Sequence, residues 1–202
     1  QLTEDDQILA CVKHFALYGA PEAGRDYNTV DMSHIRMYNE YFPPYKAAID
    51  AGAASVMASF NEVDGVPATG NSWLMTDVLR KQWGFDGFVV TDYTGIYEMI
   101  AHGVGDFESV SVQALKAGVD MDMCDNLYHK YLPELIDNGQ VTMDQIDDAV
   151  SRILRLKFEL GLFENPYTDE EHYKDVIRCE EHKKIALDGA RQAMTLLEND
   201  GI

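Results

Sequence analysis

Four short apolar runs each give way to polar side chains, and chemistry could sit at those junctions. Ile8–Val12 leads into Lys13-His14, Ala53–Ala58 into Ser59-Phe60-Asn61, Gly87–Val90 into Thr91-Asp92-Tyr93, and Gly118-Val119 into Asp120-Met121-Asp122. A carboxylate such as Asp92 can act as nucleophile or general acid/base. A lysine such as Lys13 can add to a carbonyl as a Schiff base, and a histidine such as His14 can hydrogen-bond a substrate or carry a proton. Plainer duties compete with each: Asp92 could cap a helix containing Ile96, Met99 and Ile100, Lys13 could be a surface cation, and His14 a hydrogen-bonded core histidine. The six histidines and three cysteines form neither a His-Glu-x-x-His nor a Cys-x-x-Cys spacing, so no metal site is expected; catalysis is expected to need no metal and no organic cofactor.

The runs that deliver these residues are nearly continuous in apolar character, which reads as strands buried on both faces of a parallel sheet. Helical patterns lie between them. Leu74, Met75, Val78 and Leu79 form one stripe within Ser72–Arg80, with Gly84 as a stop. Thr142 and Gln145 form a capping box ahead of Ile146, Ala149, Val150 and Ile153, and Gly161 closes the pattern, so a helix is expected over Thr142–Leu160. Strands alternating with helices indicate βαβ units. No Gly-x-Gly-x-x-Gly follows any strand, and polar residues at successive strand ends favour an eight-stranded (β/α)8 barrel of the TIM type over a doubly wound sheet. Such a barrel needs about 250 residues, whereas only about four βα units are visible. The expectation is therefore a partial barrel over residues 1–164, a linker over 165–177, and a helix over 178–202 running from about Arg178 to Leu197 into a further element.

Composition limits the partners. At 46% apolar and 25% charged residues the chain is globular rather than disordered, and its formal charge of -19 disfavours phosphate backbones and anionic lipid. A neutral small ligand fits better, with neither nucleic acid nor membrane as partner. No run of about 18 apolar residues occurs. The polar start Gln1-Leu2-Thr3-Glu4 is not a signal peptide and reads as an internal point of a longer chain. Cys11, Cys124 and Cys179 are odd in number and widely spaced, giving no disulfide framework.

Several motifs occur together in one order: Lys13-His14-Phe15, Gly24-Arg25-Asp26-Tyr27-Asn28, Met57-Ala58-Ser59-Phe60-Asn61, Trp83-Gly84-Phe85-Asp86-Gly87, Val90-Thr91-Asp92-Tyr93, Ala117-Gly118-Val119-Asp120-Met121 and Gly161-Leu162-Phe163. In these the chain closely resembles the barrel domain of glycoside hydrolase family 3, especially bacterial β-glucosidases acting on β-linked gluco-oligosaccharides. The resemblance implies a retaining, exo-acting β-glycosidase in which Asp92 attacks the anomeric carbon and carries the glycosyl ester. It implies that Lys13 and His14 hydrogen-bond the hydroxyls of the first bound sugar. Arg25 occupies a position where some relatives have a lysine. Met57 and Phe60 would line the pocket as an apolar wall and a platform for a sugar face, with Phe60 replacing the tyrosine of some relatives. Asp120 would be structural support.

Neighbours on a regular strand point to opposite faces, so Lys13 and His14 can reach one sugar only if the backbone departs from strand geometry there. An unusual peptide or bulge at Lys13-His14-Phe15 is therefore expected. The residues after Phe15 are Ala16-Leu17-Tyr18-Gly19 rather than the Pro-Gly-His-Gly of the β-N-acetylhexosaminidase branch. That favours the glucosidase and xylosidase branch, whose acid/base is a glutamate of a second domain expected beyond Ile202; glucose and xylose both stay open. Without an acid the isolated chain would turn over weakly, since a positioned acid contributes typically about 10²–10⁴-fold. The missing domain or a second copy of the chain would be its partner, and a periplasmic or secreted location follows from the resemblance. Two other readings remain: a Schiff-base aldolase-like barrel using Lys13, and a chain that binds carbohydrate without catalysis. The C-terminal acids Glu180, Glu181 and Glu198 read as a solvated face.

Overall fold

The computed structural model describes residues 8–201; the polar start at 1–7 and Ile202 lie outside them. The chain divides into two units at Gly161, just ahead of the expected boundary at 164.

In the first unit, β1 (Cys11–Phe15), β3 (Ser55–Ala58) and β6 (Phe88–Val90) form a parallel sheet in the order β1-β3-β6. The register pairs Val12 with Val56 and Met57 with Val90, so the carboxyl ends of all three strands open on the same rim. A smaller sheet in the order β2-β4-β5 joins β2 (Thr29–Val30), β4 (Glu62–Val63) and β5 (Val66–Pro67). Burial on both faces holds along most of β3, but β1 has Cys11 and Lys13 exposed because it has no second partner strand among the described residues.

The expected fourth strand shrinks to one parallel bridge between Val90 and Met121. The reason is Asp120. Its carboxylate accepts from Val89 N at 2.8 Å, and Val89 O takes both Asp120 N and Met121 N, so side-chain bonding replaces an extended ladder there. Four βα units are accordingly three strands and a bridge.

Helices cover the sheet. The short α1 (His34–Arg36) and a wide turn at Met37–Tyr41 lead into α2 (Phe42–Asp50), which has prolines in its first turn, where a missing N–H costs nothing. The stripe expected in Ser72–Arg80 lies in a wide-turned helix over Trp73–Gln82, with Leu74, Met75, Val78 and Leu79 fully buried and Gly84 at φ +71° behind it. Then follow α3 (Gly95–Glu98), α4 (Phe107–Ala117), α5 (Leu127–Asp137) and α6 (Met143–Glu159). The capping box is present: Thr142 Oγ1 accepts from Gln145 N while Gln145 Oε1 accepts from Thr142 N, and Gly161 stands at φ +66°. Phe15, Phe42, Leu74, Met75, Leu79 and Ile96 are the heart of the core. At the start of β6 a Cβ on Gly87 would meet Ala54 O at 2.1 Å, so only glycine lets β3 and β6 come this close.

The second unit, described by itself, has one helical turn, α7 (Tyr173–Val176), inside the expected linker and a helix α8 (Glu180–Ala193). This last helix is shorter than the expected Arg178–Leu197. Arg178 is left-handed at φ +61° and cannot enter a helix, and the extended Met194 ends it. Glu180, Glu181 and Glu198 are exposed, as a solvated face requires.

Candidate functional site

Asp92 follows β6 directly. Thr91, fully buried, fixes it from both sides: its N–H donates to Met121 O (3.0 Å) and its Oγ1 accepts from Met123 N (2.9 Å). Asp92 Oδ1 accepts from Tyr93 N at 2.7 Å, and Oδ2 faces His14 Nε2 at 3.2 Å, with the carboxylate side chain 19% exposed. The competing helix-cap duty goes elsewhere. Gly95 N, the first amide of α3, donates to the backbone carbonyl of Asp92, and the next two, Ile96 N and Tyr97 N, donate to Asp125 Oδ2 at 2.9 and 3.0 Å, so the Asp92 side chain caps none of them.

β1 is irregular at His14, as expected from the resemblance. The Lys13-His14 and Phe15-Ala16 peptides are cis, and the register against β3 slips between Val12 and Phe15. Tyr45 OH donates to His14 O and secures the bend. Burial, followed by the ammonium of Lys13, holds the His14 imidazole below its ordinary pKa, against the upward pull of Asp92 and Asp26. The ring is therefore neutral at neutral pH, able to donate from one nitrogen and accept at the other. Lys13→Met should raise the His14 pKa, because it removes a like charge; imidazole ¹⁵N shifts followed against pH in the full-length protein measure this, and an unchanged or lower value would contradict it.

Lys13 itself is exposed and has no hydrogen-bond or ion-pair partner among the described residues. Schiff-base lysines are commonly activated by desolvation in apolar surroundings or by a neighbouring cation, so exposure weighs against the aldolase reading. Met57 is half-buried between the fully buried Val56 and Ala58, in register with Val90. Phe60 lies at the rim with its ring centroid 4.7 Å from Tyr27 and 6.2 Å from Tyr18, and Tyr18 is in turn 5.1 Å from His14. Arg25 is exposed on the loop beside them, and its side chain has no hydrogen bond or ion pair among the described residues. The structure thus joins His14 to Asp92 directly and Phe60 to His14 through Tyr18, but brings Arg25 into no contact with the carboxylate.

Tyr18, Asp26 and Tyr27 carry no role in the sequence reading. Tyr18 OH donates to Asp26 Oδ1, which also accepts Tyr27 N at 2.9 Å. Burial and the Asp26 carboxylate push the Tyr18 phenol far above its ordinary pKa, so it stays a donor. Asp26 and Tyr27 had a signal in the Gly24-Arg25-Asp26-Tyr27-Asn28 motif, whereas nothing in the sequence around Tyr18 marked it. Asp120 is structural: Arg80 and Arg152 hold it at 2.6 and 2.7 Å behind β6.

Fold and site together define an α/β domain that presents a carboxylate, a neutral imidazole, an exposed ammonium and aromatic rings at the carboxyl ends of parallel strands, where ligands of such sheets bind. The chain belongs to glycoside hydrolase family 3: residues 2–156 match the family described as the glycosyl hydrolase family 3 N terminal domain. It is 48% identical over 198 residues to a periplasmic β-glucosidase of Salmonella typhimurium, covering 95% of this chain and 26% of that protein. A xylan 1,4-β-xylosidase of Xylanibacter ruminicola is 30% identical over 199 residues, covering 96% of this chain and 23% of the relative. Among solved structures, a β-glucosidase from Listeria innocua in complex with glucose superposes with a TM-score of 0.93 at 43% identity, covering 98% of this chain and 28% of that one. The chain thus spans about a quarter of the length of the curated relatives it matches.

Proposed function

We propose that this chain is the nucleophile-bearing half of a (β/α)8 barrel in a retaining, exo-acting β-glucosidase. Asp92 Oδ2 attacks the anomeric carbon of a terminal β-linked glucose. The glycosidic oxygen leaves with a proton from an acid, proposed to be a glutamate of a second domain. Water then cleaves the glycosyl ester, and the proton returns to that glutamate. Lys13 donates to sugar hydroxyls, His14 donates or accepts according to its tautomer, and Met57 and Phe60 form the wall against the sugar face. Arg25 contributes only if its loop closes on a bound sugar. A periplasmic or secreted location is proposed from the resemblance to periplasmic relatives.

The observation that carries this reading is the open face of Asp92: an aspartate relieved of helix capping by Asp125, turned to the rim and paired with a neutral His14. The test is to inactivate the full-length protein with 2-deoxy-2-fluoro-β-glucosyl fluoride and map the adduct by mass spectrometry. Attachment to Asp92 is expected, and attachment elsewhere defeats the assignment. The xylosyl counterpart is run alongside; faster labelling by it moves the substrate from glucose to xylose.

A further inference from the structure

Behind the aromatic wall is a charged bridge that the proposed reaction does not use. Glu62 Oε2 accepts from Thr29 Oγ1 at 2.6 Å, while Glu62 Oε1 is 2.8 Å from His102 Nδ1. The Glu62 and His102 side chains are only 19% and 13% exposed. Three separate segments meet here: β2, which follows the loop bearing Arg25, Asp26 and Tyr27; β4, which follows Phe60; and the turn after α3, the helix that begins just beyond Asp92.

We infer that Glu62, through Thr29 and His102, is a positioning residue that sets the sugar-binding wall by holding the Tyr27 ring beside the Phe60 ring. Topology explains how. In the parallel pair β2·β4, Thr29 is opposite Glu62. Tyr27 precedes Thr29 by the same number of residues as Phe60 precedes Glu62, so the two rings are brought alongside one another, 4.7 Å apart. That ladder has only two residue pairs, Thr29 with Glu62 and Val30 with Val63, too few to define the strand ends rigidly.

Two anchors with different tasks are visible. Val30 and Val63 are fully buried and fix the small sheet to the core. Glu62 adds nothing to that burial, and instead ties the exit of the Tyr27 loop to the exit of the Phe60 segment. The Thr29 hydrogen bond, with help from His102, keeps the Glu62 carboxyl below its ordinary pKa in spite of burial, so the bridge carries a full charge at neutral pH. Charge-assisted bonds of this kind are shorter and stronger than neutral ones. Loss of the bridge therefore loosens the wall while leaving the core, and β6 that carries Asp92, in place.

The inference rests on the glycosidase reading, and its test separates the two. In the full-length protein, kcat and KM for an aryl β-glucoside are measured per active site, with sites counted by fluoro-glucoside titration. Glu62→Ala is expected to raise KM about 10-fold with kcat within about 2-fold, as for loss of a binding contact felt equally in ground and transition states. Glu62→Gln keeps an acceptor for Thr29 and is expected to raise KM by about 3-fold. Thr29→Val should behave like Glu62→Gln or worse, and Thr29→Ser should restore the wild-type KM. A merely structural role would lower the number of active sites and leave KM alone, and that result in both Glu62 variants overturns the inference. A wild-type protein with no turnover and no labelled Asp92 overturns the glycosidase reading and the inference with it.

Discussion

Asp92→Ala in the full-length protein is expected to lower kcat for an aryl β-glucoside by roughly 10⁴–10⁶-fold, the scale on which removal of a covalent nucleophile is felt, while glucose still binds measurably by calorimetry. The side chain has two polar neighbours that the structure defines, Tyr93 N at Oδ1 and His14 Nε2 at Oδ2. Neither holds a strand or a helix in place, so the loss should be chemical more than structural. A small anion offered to the vacated space gives a sharper readout: azide should restore part of the rate and yield the glycosyl azide of inverted anomeric configuration, since it attacks from the face that Asp92 occupied. Asp125→Ala is the matched control. It removes the acceptor of Ile96 N and Tyr97 N and should cost stability of about 0.5–2 kcal/mol as a lost cap. Retention of kcat in Asp92→Ala within about 10-fold would end the nucleophile proposal.

The contrast between Asp92 and Asp125 shows what the sequence could disclose. Local signals were readable: the Thr142 and Gln145 capping box sits within a single turn, and the helix over Met143–Glu159 matches its expected span to within a residue at each end. The departure from strand geometry at Lys13-His14-Phe15 was readable too, once the resemblance asked two neighbours to face one ligand, because they cannot both do so on a regular strand. Partnerships across long stretches of chain were not. Asp125 caps α3 from a separate segment, and His102 meets Glu62 only once the small sheet has formed. From sequence alone Asp92 and Asp125 are both acids near a helix start, and nothing but folding decides which of them is spent on amides. Asp120 illustrates the same limit in the sheet: its side chain intrudes on the Val89 amide and cuts short a strand that apolar patterning had predicted.

Asp120→Ala should cause the largest loss of stability of any single change at the polar ends of these strands, about 3–5 kcal/mol, because it strands the buried Arg80 cation. The Asp120 side chain is 1% exposed and lies between Arg80 at 2.6 Å, itself 12% exposed, and Arg152 at 2.7 Å. Arg80 also donates to Gly87 O and Gly118 O, so one guanidinium spans the entrance to β6 and the turn after α4. Removing the carboxylate leaves that guanidinium without its anionic partner and the Val89 amide without its acceptor, and Val89 lies in the strand that leads into Thr91 and Asp92. Asp120→Ala is therefore expected to lower the unfolding midpoint in denaturant and to reduce labelling at Asp92 together. The Arg80→Ala and Asp120→Ala pair should cost clearly less than the sum of the single changes, since once one charge is gone the other is buried for nothing. Additive losses, or an Asp120→Ala midpoint close to wild type, would mean that β6 is held by its backbone ladder and apolar packing alone, and that Asp92 owes its position to Thr91 rather than to the arginine clamp.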